Sequence, residues 1–224
     1  MHFFIIGGSG RNGQLTTQAA LDRGHSVTAL VRNPSSLTPH ERLTVVRGTP
    51  TSLADIQKGL TTPQHPSTVF YTLNPRRTSE NPFAPLSPES PTDLLESTMR
   101  TLIAAINSTS FPPPKLVINS TMGVGASFAS MTAPIRFVFR HSTMRVTLDD
   151  HTNLDTVVRE SGLPFVLARP ARLVEGEAGE LRVLSDDGKG SGWNPTVKRA
   201  SLARWMVGAA EVKTWDGRAP VLTT

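Results

Sequence analysis

Four glycines, Gly7, Gly8, Gly10 and Gly13, fall within seven residues directly after the apolar run at 3–6, with Arg11 and Asn12 set among them. Glycines at such spacing let a strand turn tightly into a helix and bring backbone N–H groups against a pyrophosphate. The N-terminus of the helix that follows supplies unpaired N–H groups and partial positive charge. Two registers satisfy the spacing, Gly8-x-Gly10-x-x-Gly13 and Gly7-x-x-Gly10-x-x-Gly13, and the residues alone leave both open. A second chemical signal is Arg32, at the end of the β-rich run SVTALVR. A dinucleotide-binding chain that takes NAD carries an acid there for the ribose 2′-hydroxyl. This chain has no acid between Asp22 and Glu41. A guanidinium grips a 2′-phosphate that a carboxylate would repel. The pattern therefore selects NADP(H), with Arg11 on the loop as a second phosphate contact.

Catalytic groups are sparser. Many dehydrogenases of this general kind use Tyr-x-x-x-Lys as proton donor. The single tyrosine here, Tyr71, has Pro75 four positions on and lies inside a strand pattern, where a core role dominates. Carbonyl reduction by that route is not expected. A Ser120/His151/Asp150 hydrolase triad is set aside, because no Gly-x-Ser-x-Gly elbow accompanies it and the glycine loop would go unexplained. The six histidines show no metal-ligand spacing, and the absence of cysteine removes disulfides, thiolate catalysis and cysteine zinc sites. No metal is expected.

The elements that must position these groups alternate regularly. Strand patterns fall at 2–6, 26–32, 43–48, 67–73, 115–119 and 164–170. Helical patterns follow the glycine loop as far as Arg23-Gly24, and run over 93–107, from Leu148 to Ser161, and over 199–212. Ser52 and Asp55 read as a capping box opening a short helix, and Asp149 and Asp150 as acids in the first turn of the 148–161 helix. Residues 219–223 read as a closing edge strand. This alternation predicts an α/β Rossmann fold, a single domain over 1–224 with a doubly wound, mostly parallel sheet. Residues 74–91 break it, with five prolines and no apolar period; they read as a structureless flap or insertion. Residues 122–145 resist assignment. The substrate pocket is expected from loops 74–91, 121–146 and 171–195.

Composition bounds the rest. The chain has 224 residues, 38% of them hydrophobic, with a net charge of +5. Its basic residues are scattered, the densest group being Arg136, Arg140, His141 and Arg145, and no nucleic-acid-binding motif accompanies them. A positive surface equally serves a phosphate-bearing cofactor or an anionic substrate. No run approaches the length of a membrane helix. The expectation is a soluble, cytoplasmic protein, a monomer or weak homo-oligomer, acting on a small molecule without nucleic-acid or membrane partners.

The segments IIGGSGRNG, VTALVRNP, LLESTMRTLIAAI and, above all, VTLDDHTNLDTVVRESGLPFVLARP carry a family resemblance. With these the chain resembles the atypical short-chain dehydrogenases/reductases of the NmrA-like group, in particular their biliverdin-IXβ/flavin reductase branch. The resemblance spans nearly the whole chain and matches the family's loop glycines to Gly7, Gly10 and Gly13. It implies an NADPH-dependent reductase with an open pocket over the nicotinamide. Asn12, Leu73, Ser120 and Pro170 join the cofactor set, and Ser120 and His151 face the substrate as catalytic candidates. Flavins, quinones, linear tetrapyrroles or aromatic polyketide-like compounds are the acceptors such a site suits, since each spreads the incoming charge over a conjugated system. Thr49 stands where the family often has an aspartate against the adenine, and Phe128, Phe137 and Phe139 imply a differently furnished pocket. Two rivals accompany this reading: a redox-neutral isomerase or cyclase on the same scaffold, and a non-catalytic NADP(H)-sensing regulator.

Overall fold

The computed structural model of the protein describes residues 1–79 and 81–224. In chain order its elements are β1 (His2–Ile6), α1 (Arg11–Asp22), β2 (Ser26–Val31), β3 (Leu43–Arg47), α2 (Leu53–Thr61), β4 (Thr68–Tyr71), α3 (Leu94–Asn107), β5 (Lys115–Asn119), α4 (Ala133–His141), α5 (Met144–Glu160), β6 (Phe165–Pro170), β7 (Arg172–Val174), β8 (Arg182–Leu184), β9 (Thr196–Lys198), α6 (Arg199–Glu211) and β10 (Val221–Thr223). The main sheet runs β3-β2-β1-β4-β5-β6-β10-β8, and β7 and β9 form a small separate pair. All neighbours in the main sheet are parallel except β10 and β8. The chain winds outward from β1 to β3, then returns to β4 on the other side of β1. That reversal opens a crevice at the carboxyl ends of β1 and β4, where such sheets bind ligands. The expected Rossmann architecture is borne out.

A parallel strand covered on both faces needs apolar residues in succession, not alternation. β1 is the clearest case, with every residue buried. Phe4 and Ile6 enter the core under α2, α3 and α5, while Phe3 and Ile5 enter the core under α1 and α6. At α2 the expected cap is present: Ser52 Oγ accepts from Asp55 N at 3.2 Å. α1 ends at the expected place, with Gly24 N donating to the carbonyl of Leu21 at 2.9 Å.

Several expectations need correction. The helix expected from Leu148 begins a turn earlier, at Met144, so Asp149 and Asp150 do not lie in its first turn. Asp150 instead caps a different helix: its carboxylate accepts from Leu95 N at 2.9 Å and Glu96 N at 3.0 Å, at the start of α3. Asp93, the residue placed to cap α3, makes no such bond. The unassigned 122–145 stretch holds a short 3₁₀ turn at Gly125–Phe128 and the helix α4. The strand at 219–223 is interior rather than an edge, because β8 pairs on its outer side. The proline-rich loop is also not structureless: Arg77 and Leu86 form an antiparallel bridge. Glu80 of that loop lies outside the described residues.

Burial pushes the Asp150 carboxyl pKa up, while the two backbone amides pull it down. Removing the carboxylate strands both donors. Asp150→Ala is expected to lose about 2–4 kcal/mol of stability in urea unfolding, and Asp150→Asn, which keeps an acceptor, clearly less.

Candidate functional site

The glycine turn resolves its own register. Gly7 has φ +85°, and a Cβ there would stand 3.0 Å from Leu73 N and from the Thr72 carbonyl carbon. Gly10 N donates back to the Gly7 carbonyl at 3.0 Å. A Cβ on Gly13 would lie 2.1 Å from that same oxygen. At Gly8 a Cβ would meet Ala29 Cβ at 3.1 Å and Val31 Cγ1 at 3.5 Å, side-chain atoms in both cases. Backbone therefore demands glycine at Gly7 and Gly13, and crowds Gly10, where a Cβ would lie 3.3 Å from the Gly7 carbonyl oxygen. Gly10 is the N-cap of α1; no side chain caps it, and the helix carries no acid in its first turn. That leaves a positive helix end turned toward the crevice.

Arg32 directly follows β2, and Gly48 N donates to the Val31 carbonyl at 3.0 Å to hold that strand end against β3. Asn33 caps the next turn, its Oδ1 accepting from Ser35 N at 3.2 Å. Gln14 of α1 ties this turn to the glycine loop, donating to the carbonyls of Ser9 (3.2 Å) and Ser36 (3.3 Å). Arg32 Nη1 itself lies 3.9 Å from the Glu89 carboxylate. Arg11 Nη1 lies 3.6 Å from Glu175, beyond β7. Arg199, a residue that spacing did not single out, joins these parts. Its Nε donates to Glu175 at 2.9 Å and its Nη1 to Asn12 Oδ1 at 2.8 Å, with the side chain only 14% exposed. Nothing in the run KRASLARW distinguished it from an ordinary helix arginine.

Leu73 packs beside the core cluster under α3, its backbone against the Gly7 turn. Thr72, also unsingled by sequence, donates its hydroxyl to the Ile6 carbonyl at 2.8 Å and locks β4 to β1 at the crevice. On the far side, Ser120 N donates to the Ala168 carbonyl at 2.8 Å, and Met122 N to the Pro170 carbonyl at 2.9 Å. These bonds place Ser120 and Pro170 together at the carboxyl ends of β5 and β6. Ser120 is 4% exposed, and its Oγ has no hydrogen-bond partner among the described residues. The same holds for Asn119 Oδ1 and His151 Nδ1. Unpaired buried polar atoms are uncommon and mark a strained or functionally constrained position.

His151, on α5, is also 4% exposed, and burial lowers its pKa from 6.5 to about 4. It is a neutral imidazole at physiological pH. One turn on, Asp155 anchors Arg169 of β6, whose Nη2 donates to the carboxylate at 3.1 Å while Nη1 donates to the Asp186 carbonyl at 3.2 Å. Arg159 donates to the same Asp155 at 2.8 Å. Tyr71 is fully occupied in the core: its hydroxyl donates to the Leu95 carbonyl at 2.9 Å and contacts Thr98 Oγ1, and burial raises its pKa strongly. It is no proton donor, as its strand position implied. Among the described residues no three His, Asp or Glu gather as metal ligands would, and no helix is long and apolar enough to cross a membrane.

The tight glycine turn, the uncapped helix and the unpartnered Ser120 hydroxyl fit a bound dinucleotide. Comparison with solved structures agrees in fold. A short-chain dehydrogenase/reductase of Veillonella parvula in complex with NADP is 16% identical, with 100% of this chain and 94% of that one covered, at a TM-score of 0.77. The anaerobilin reductase of Escherichia coli O157:H7 is also 16% identical, covering 100% and 97%, at 0.74. A protein of Streptococcus pneumoniae provisionally named an NADH-flavin reductase is 13% identical, covering 100% and 99%, at 0.71. The resemblance to short-chain dehydrogenases/reductases is thus borne out in structure. A family model described as NAD(P)H-binding matches residues 7–212, and the chain belongs to that NAD(P)H-binding family.

Proposed function

We propose that the protein is an NADPH-dependent reductase that delivers a hydride to a conjugated small-molecule acceptor, of the flavin, quinone, linear tetrapyrrole or aromatic polyketide-like class. The observation that carries this reading is Arg32, set at the end of β2 with no acid on that strand end, across from the open N-terminus of α1. Gly7, Gly10 and Gly13 leave room for a pyrophosphate, Arg11 and Asn12 flank it, and Arg32 receives the 2′-phosphate. Leu73 and Pro170 wall the crevice on either side. When bound, the reduced nicotinamide supplies the hydride.

The chain's own groups then position and polarise. Ser120 Oγ, with no partner among the described residues, donates to the nicotinamide carboxamide or to an acceptor oxygen. His151 contributes a neutral imidazole, which orients an acceptor by hydrogen bonding without adding charge. With Tyr71 locked in the core, the site offers no strong proton donor of the usual kind. An acceptor that delocalises the arriving charge needs none. The NADP held by the Veillonella neighbour, and the reductase names of the other two, support the cofactor and acceptor classes.

Three measurements test this. Purified protein mixed with NADPH and a panel of flavins, quinones and aromatic ketones is expected to oxidise NADPH with at least one acceptor. Tight binding without oxidation of any acceptor would count against a reductase and favour a sensing role. Ser120→Ala is expected to lower kcat/KM by roughly tenfold or more. Its thermal stability should stay level or rise slightly, because an unsatisfied buried hydroxyl is removed.

The third measurement is the pH dependence of stability. Unfolded His151 takes up its proton near pH 6.5, but the buried residue does so only near 4. Between these values the unfolded chain binds more protons, so stability falls as the pH drops through that window. This group's share is about 2–3 kcal/mol at pH 4.5 relative to pH 7. His151→Gln should flatten that part of the urea-unfolding profile. An unchanged slope would show that the imidazole is not held neutral by burial.

A further inference from the structure

The carboxylate that the end of β2 lacks in sequence is present there in space. Glu89, from the loop after β4, places Oε2 3.9 Å from Arg32 Nη1. Its position is built by the backbone. Thr78 N donates to the Pro85 carbonyl at 3.0 Å and Ser87 N to the Arg76 carbonyl at 2.8 Å, flanking the Arg77–Leu86 bridge of a short hairpin. Ser90 N closes a turn onto the Ser87 carbonyl at 2.8 Å, and Ser90 Oγ accepts from Arg76 N at 2.9 Å. The four-residue turn carrying Glu89 is therefore clasped to Arg76 at both ends. The far end of the hairpin is moored too, with the Thr143 hydroxyl 2.7 Å from the Pro82 carbonyl and 2.6 Å from that of Ala84. The side chains of Arg32 and Glu89 are 64% and 79% exposed. A pair so exposed contributes little to stability, so the fold gains almost nothing by holding the two together.

We propose that Glu89 is a specificity-determining residue for the cofactor. Its carboxylate accepts a hydrogen bond from the adenosine ribose 2′-hydroxyl of NADH, the task an acid on β2 performs in NAD-dependent chains. Against NADPH the same carboxylate competes with the 2′-phosphate for Arg32 and repels it. Arg32 and Glu89 together give the enzyme use of both cofactors and hold its NADPH preference below what Arg32 alone would confer. This inference rests on the reading of Arg32 as the 2′-phosphate residue.

The test is equilibrium binding of NADPH and of NADH to the full chain, followed by nicotinamide fluorescence, for the wild type, Glu89→Gln and Arg32→Gln. A like charge a few ångströms from a phosphate in largely aqueous surroundings is worth about five- to tenfold in affinity. Glu89→Gln is thus expected to tighten NADPH binding by about that factor and, because a neutral amide oxygen accepts more weakly than a carboxylate, to weaken NADH binding by a smaller one, about two- to threefold. Added salt should shrink the NADPH change, since charge repulsion is screened. A Glu89→Gln protein whose ratio of NADPH to NADH affinity stays within about twofold of wild type would overturn the proposal. If Arg32→Gln weakens NADPH in the same experiment, the cofactor reading survives that failure and only the role of Glu89 falls. If Arg32→Gln leaves NADPH binding unchanged, both fall together.

Discussion

The carbonyl oxygen of Gly7 is the point on which the site turns. It accepts from Gly10 N, and it occupies the space that a Cβ on Gly13 would need. The first turn of α1 can therefore pack directly onto the end of β1, with its uncapped N–H groups facing the crevice. A larger residue at position 13 would push the helix off the strand, and no side-chain rearrangement offers relief because the obstacle is backbone. Thr72 fixes the other wall of the same crevice by donating to the Ile6 carbonyl. The adjoining Leu73 backbone is what makes Gly7 the tightest position on that side. The cofactor turn and the switch in strand order are in this sense one feature, because the turn only works where β4 lies against β1.

The polar interior divides into two populations with different meaning. One is paired: Asp150 caps α3, and Asp155 joins Arg169 and Arg159 between α5 and β6. Breaking either leaves buried partners unmatched, so these groups hold the helices to the sheet. The other is unpaired among the described residues; besides atoms of Thr17, His65, Thr68, Arg77 and Arg169, it includes Asn119 Oδ1 and Ser120 Oγ at the carboxyl end of β5 and His151 Nδ1 on α5. These atoms bring the fold no bond of its own in return for their desolvation. α5 carries members of both populations within five residues, which explains why a single helical segment looked distinctive in sequence without revealing which of its polar residues were structural.

The sheet and the cofactor turn were legible in sequence because their signals are local. A continuous apolar strand, glycines at a fixed spacing and a helical period each act within a dozen residues. Arg32 could be found for the same reason, as a strand end counted from a loop. Asp150 was misread because its partners are 54 and 55 residues away; an acid near a helix start looks like a cap for that helix and gives no sign of serving another. Tyr71 was read correctly as core, since a parallel strand covered on both faces buries every residue of its run. Arg199, Glu175 and Glu89 left no trace, because each acts across a loop whose path depends on the finished sheet. The short strands β7, β8 and β9, of three residues each, are too brief for any period to show.

Two of these three late arrivals, Glu175 and Glu89, share a pattern. Arg11 opens α1 and Arg32 follows β2, where sequence spacing places them, while Arg199 opens α6, where it does not. The carboxylates that meet them, Glu175 at Arg11 and Arg199 and Glu89 at Arg32, come from segments beyond β7 and β4. A basic crevice alone would attract any polyphosphate, since charge steers without discriminating. Anions set against it by separate loops make binding depend on whether a ligand can replace or share those carboxylates. The Rossmann core thus carries the match to the NAD(P)H-binding family, and on the reading proposed above the carboxylates of the two loops bear on which dinucleotide is held. That division also explains why the glycine turn and Arg32 are readable from local spacing while the carboxylate set against Arg32 is reached only through the finished fold.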